Sequence, residues 1–178
     1  MKNLLKSKKG LIVTTIIFGL FITLILPYFS NLTARITNST FSPDTGFFYS
    51  PDTFYANMEL YGKEGRNFYV LMRWTFDIVW PVVYTSFFLS VLLFFTNIYQ
   101  SKTKQKILYM PILAVGFDFI ENILATINVS IYPSKSTVAI IFMQISSTLK
   151  WIFILCTIIF IILLIILYFV SKKRTDQV

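Results

Sequence analysis

The chain has 178 residues, 56% of them hydrophobic and only 13% charged, with a mean hydropathy of +0.69. So little polar surface cannot coat a water-soluble globule, which excludes an ordinary soluble domain and points to an integral membrane protein. The formal net charge of +8 does not call for nucleic acid as a partner, because the cations gather in short clusters beside apolar runs, where anionic lipid attracts them.

Four runs approach or exceed the ~20 residues needed to cross a bilayer: 11–29, 68–99, 107–132 and 138–170. The expected fold is all-α, a single domain over 1–178 made of a four-transmembrane-helix bundle with the lipid bilayer as its first partner. Lys2, Lys6, Lys8 and Lys9 precede the first span, Lys102, Lys104 and Lys106 fill the second connection, and Lys172, Lys173 and Arg174 follow the last. Cations favour the cytoplasmic side, so both termini are expected there, with the loop 30–67 outside. The abundance of Ile, Lys, Asn and Phe suggests a bacterial plasma membrane, which makes the sequons at Asn31, Asn38 and Asn128 incidental.

The first span, IVTTIIFGLFITLIL, is longer than the apolar core of a signal peptide, and LPYFSN lacks a small-x-small cleavage pattern, so an uncleaved anchor is expected. Thr15, Gly19 and Thr23 recur every four residues, a spacing that would let a neighbouring helix approach closely. In the outer loop, Ser50 suits an N-cap, Pro51 the first helical position, Asp52 the positive helix end and Gly62 a stop, which predicts a helix over 51–61. Phe54, Tyr55, Met58 and Tyr61 would share one face of it. That is the pattern of a short amphipathic helix lying in the interface plane, roofing the bundle. The tetrapeptide SPDT at Ser42 and again at Ser50 reads as two similar turn or cap signals.

Charges then appear inside the spans. Arg73, Asp77, Trp80, Pro81 and Tyr84 follow helical spacing on the second, and Asp118, Glu121 and Asn122 stand at i, i+3 and i+4 on the third. On the fourth, Gln144, Ser147, Thr148 and Trp151 make one polar face with Lys150 at its margin. Counting 1.5 Å per residue from the cytoplasmic ends places all the charges in the outer half of a core ~30 Å thick. Charge at that depth costs kilocalories unless paired or wetted, so these groups are expected to gather in one polar, outward-facing pocket. Arg73, Asp77, Tyr84, Asp118, Glu121, Asn122 and Lys150 are the candidate ligand-binding residues. Two cations against three carboxylates leave one excess negative charge unless a carboxyl is protonated or a cation enters. Interhelical hydrogen bonding is the competing, purely structural use of the same residues.

Histidine is absent and Cys156 is the single cysteine. Ser-His and Cys-His nucleophilic systems and a Cys/His zinc set are thereby excluded, and neither a metal nor another cofactor is expected. Pro81 and Pro111 are expected to bend the second and third spans.

YSPDTFYANMELYGKEGRNFY, FDIVWPVVY, DFIEN and STLKW, in that order, resemble a group of small four-helix bacterial membrane proteins of unassigned function. The resemblance covers about 49–151 and implies fold and location without a reaction. Four-helix sterol-isomerase-like proteins also place carboxylates in an intramembrane pocket, but their pattern uses a histidine that this chain lacks, so that activity is not implied. The expected function is the binding of a small amphipathic molecule or lipid, with aromatics on its apolar part and Asp118 or Glu121 on its charge. The alternatives are a carboxylate-dependent membrane enzyme acting on a lipid-like substrate, and a structural or assembly subunit. A through-path ranks last, because 87–95 and 158–170 are almost wholly apolar.

Overall fold

The computed structural model describes residues 5–44, 46, 48–98 and 106–175, without the side chains of 96–98 and 171–175. Lys2, Thr45 of the first SPDT, the expected end of the second span at Tyr99, and Lys102 and Lys104 lie outside the described residues. Within them the structure is helical, and four helices are long and apolar enough to cross a membrane.

The first helix, α1 (Lys8–Thr37), starts where the Ser7 hydroxyl accepts the Gly10 N–H at 3.0 Å, and it does not stop at residue 29 as expected. Pro27 lacks an N–H, and its ring crowds the carbonyl four residues back. The chain relieves this just upstream by widening one turn into a π segment, Phe21–Ile25, closed by the Leu26 N–H on the Phe21 carbonyl. Helix-compatible residues then carry α1 on to Asn38, which ends it in the left-handed region at φ 52. The expected close approach at Thr15, Gly19 and Thr23 does not occur. Both threonine hydroxyls bond carbonyls of their own helix, and a Cβ on Gly19 would meet nothing within 4 Å. Instead α1 meets the bundle through Phe18, stacked on Phe87 at 4.3 Å between centroids and on Trp80 at 5.8 Å.

Helix α2 (Pro51–Leu60) forms as its cap signals predict, with the Ser50 hydroxyl accepting the Thr53 N–H at 3.0 Å. Only the second SPDT caps a helix. In the first, the Ser42 carbonyl takes the Gly46 N–H in a turn. Gly62, at φ +61, does break the chain, but a new helix α3 (Gly62–Arg73) begins there, well before the expected start at 68. At Gly65 a side chain would come within 3.3 Å of the Thr37 backbone, so glycine lets α3 pack against the end of α1. Two residues, Trp74 and Thr75, then break the helix inside what is still one candidate span, Gly62–Phe95, and α4 (Phe76–Ile98) follows.

Helix α5 (Tyr109–Ser130) carries Pro111 in its first turn, where a missing N–H costs nothing. Helix α6 (Thr137–Thr175) starts on the Ser136 hydroxyl, which accepts the Ala139 N–H. Two apolar clusters hold the bundle. One joins Phe54, Tyr55 and Met58 of α2 to Ala125, Val129, Ile140 and Met143; the other joins Tyr84, Phe88 and Ala114 to Phe18, Trp80 and Phe153. Along α5 and α6 the charged residues fall between these clusters. The face of α2 expected to meet the interface is therefore buried in protein, covering the adjoining ends of α5 and α6.

Candidate functional site

The break between α3 and α4 creates the first half of the site. Arg73 ends α3, and its Nη1 lies 3.1 Å from Asp77 on the first turn of α4. Pro81 has no N–H for the Asp77 carbonyl, which would be left bare inside a helix. Asn122 of α5 satisfies it, donating Nδ2 at 3.3 Å while its Oδ1 accepts from Arg73 Nη1 at 3.4 Å. One proline thus explains why an amide stands beside the carboxylates. The Arg73 guanidinium also lies over the Tyr69 ring, 4.5 Å from its centroid.

Lys150 builds the second half. Its Nζ sits 2.7 Å from Glu121 Oε2 and 3.2 Å from Asp118 Oδ1, with all three side chains buried. Tyr84 donates its hydroxyl to the other Asp118 oxygen at 3.2 Å. All seven residues singled out from the sequence therefore meet in one layer, where four helical segments converge.

Sequence reasoning missed Asp44. It lies in the turn between α1 and α2, yet it forms a two-pronged pair with Arg73, Nη1 to Oδ1 at 2.5 Å and Nη2 to Oδ2 at 2.8 Å. Its backbone carbonyl is held from the α6 side by Trp151 Nε1 at 2.7 Å and by the Ser147 hydroxyl at 3.3 Å. Gln144 similarly donates to the Tyr49 carbonyl. The polar face of α6 is thus spent on clamping the loop, with Lys150 reaching inward beside it. Burial by itself would raise the Asp44 carboxyl. The Arg73 guanidinium first, and Lys150 after it, outweigh burial and hold it well below the usual carboxylate range.

Among the described residues, the Lys150 ammonium is the one donor group against the Glu121 carboxylate. Among the described residues the layer holds Asp44, Asp77, Asp118 and Glu121 against Arg73 and Lys150, one carboxylate more than the sequence led one to count. Counted as ionised, the four carboxylates exceed the two cations by two charges.

The layer is closed by its own pairings. Its most accessible side chains are Asp44 at 27% exposure and Asp77 at 18%, whereas Glu121 is 1% exposed. An open groove of about 590 Å³ lies elsewhere, between α3 and the end of α5.

No protein-family model matches this chain, and no curated protein or solved structure matches it either. Fold and site define an all-helical protein with four helices able to span a membrane and a buried, carboxylate-rich polar layer.

Proposed function

We propose that this is a multi-pass protein of a bacterial plasma membrane whose carboxylate layer binds a small amphipathic molecule or lipid by a cationic or polar end. The observation that carries this reading is the excess of carboxylates, four of them facing two cations in one buried layer. A ligand cation would neutralise it, and the aromatic side chains of Trp80, Tyr84 and Phe88 on the adjoining layer supply apolar contact. Entry is from the outer side through the loop that carries Asp44, the most exposed member of the layer. In this placement α2 lies near the outer interface with Asp52 and Glu59 toward water.

Asp118→Asn and Glu121→Gln keep shape while removing charge. Each leaves Lys150 one carboxylate partner, so each should cost less stability than Lys150→Met while lowering the occupancy of a small molecule or lipid retained by the purified protein in native mass spectrometry. If nothing is retained and both variants unfold, the layer is structural only. A carboxylate-dependent enzyme is the second reading, favoured by the gathering of four carboxyl groups in one layer, since neighbouring carboxyl groups can serve as an acid and a base. Chemical change of the retained molecule on incubation would distinguish it from a binding protein.

The orientation is tested separately. In a Cys156→Ser background, Glu59→Cys should label with an impermeant maleimide in intact cells, and Ser101→Cys only after lysis. The opposite pattern would put the layer in the inner half and remove the outer entry.

A further inference from the structure

Away from the carboxylate layer, one wall of the open groove is a single stripe of α3. Lys63, Arg66 and Asn67 come first, and Val70, Leu71 and Trp74 continue the same face toward the break in the helix. The end of α5, at Val129 and Ser130, forms the opposite wall. From Lys63 to Trp74 the stripe is ~16 Å long at 1.5 Å per residue, about the depth from a headgroup into the upper acyl region.

The two ends differ in chemistry and in how they are held. Arg66 is anchored, with Nη1 donating to the Met58 carbonyl at 2.8 Å and the guanidinium over the Tyr132 ring at 4.3 Å. Lys63 is exposed, and among the described residues no carboxylate pairs with either cation. Glu59 and Glu64, though near in sequence, do not line the groove. At the other end Leu71 is 55% exposed and Trp74 43% exposed, and the indole is fixed by its N–H on the Thr126 hydroxyl at 2.9 Å.

We propose that this groove is a binding site for one anionic phospholipid, with the phosphate between Lys63 and Arg66 and the start of an acyl chain along Leu71 and Trp74. Cations without carboxylate partners above an exposed apolar strip match a headgroup and chain in charge and order. A zwitterionic lipid brings a cation of its own to the cationic end and gains less. The site is independent of whether the carboxylate layer binds anything.

The test is native mass spectrometry of the full-length protein in detergent, titrated with phosphatidylglycerol, phosphatidylcholine of the same chains, or glycerol phosphate. Phosphatidylglycerol should bind more tightly than phosphatidylcholine, and glycerol phosphate should fail to bind at the same concentration. Lys63→Gln should weaken phosphatidylglycerol about fivefold, the worth of one cation at a lipid surface. Arg66→Gln should do at least the same, and Lys63→Gln carries the test if loss of the Met58 contact unfolds that variant. Leu71→Ser should weaken the lipid as well. Lys135→Gln is the control, because Lys135 is exposed, outside the groove, and 3.4 Å from Asp52. Equal retention of the two lipids, equal loss in the Lys135 control, or glycerol phosphate binding as tightly as lipid would overturn the proposal.

Discussion

Replacing Lys150 with methionine should cost about 3 to 5 kcal/mol of stability, the range found when one partner of a buried ion pair is removed and the other left stranded. The figure is set by burial: side-chain exposures are 7% for Lys150, 8% for Asp118 and 1% for Glu121. A surface pair broken in the same way would lose ~1 kcal/mol or less. The two carboxylates should not rescue equally. Asp118 keeps the Tyr84 hydroxyl when the ammonium is gone, whereas among the described residues no other donor reaches Glu121. Glu121→Gln should therefore restore more stability to Lys150→Met than Asp118→Asn does. Thermal melts of the two double variants in detergent decide this. Losses that simply add would show that the charges do not act as a pair.

How much of this arrangement could be read beforehand differs by residue. The helical spacing of Asp118, Glu121 and Asn122 fixes them on one face from sequence alone, and the cost of charge in an apolar span makes their convergence with Arg73 and Lys150 predictable. Asn122 was visible as a neighbour of the acids, while its partner followed from Pro81, whose missing N–H bares the Asp77 carbonyl. Asp44 was not legible. It stands in a turn with no helical period to aim it, and its pairing with Arg73 is a long-range contact set by how the loop returns across α6. The twin SPDT motifs misled in the same way, since an identical tetrapeptide caps α2 at Ser50 but only turns the chain at Ser42. Helix boundaries drifted where breakers were absorbed: Pro27 by a π turn, and Gly62 by starting a helix instead of a loop. The hydrophobic pattern of α2 gave the buried face correctly, but amphipathicity cannot say whether lipid or protein covers it.

Arg73→Lys should release the loop across the site while leaving the bundle folded. Lysine keeps the charge, but its ammonium cannot reproduce the planar two-pronged grip on Asp44, and the Tyr69 stacking and Asn122 contacts go with the guanidinium. Arg73→Met should be harsher, about 3 kcal/mol, at the lower end for a buried pair because Asp44 and Asp77 are exposed enough to rehydrate or take up a proton. The measurement is amide hydrogen exchange over 38–50. Protection there should fall by tenfold or more in Arg73→Lys, with α5 and α6 unchanged. Acid should not mimic this in the native protein. Arg73 leads Lys150 in outweighing burial and depressing the Asp44 carboxyl, so the stability it contributes is complete above the ordinary carboxylate value of 3.8. It is lost only as pH falls through the depressed folded value. Loop protection should thus hold between pH 7 and pH 5 once intrinsic exchange rates are corrected. A loop that loosens near pH 6, or one whose protection survives Arg73→Lys, would show that the Asp44–Arg73 pair is not what holds it closed.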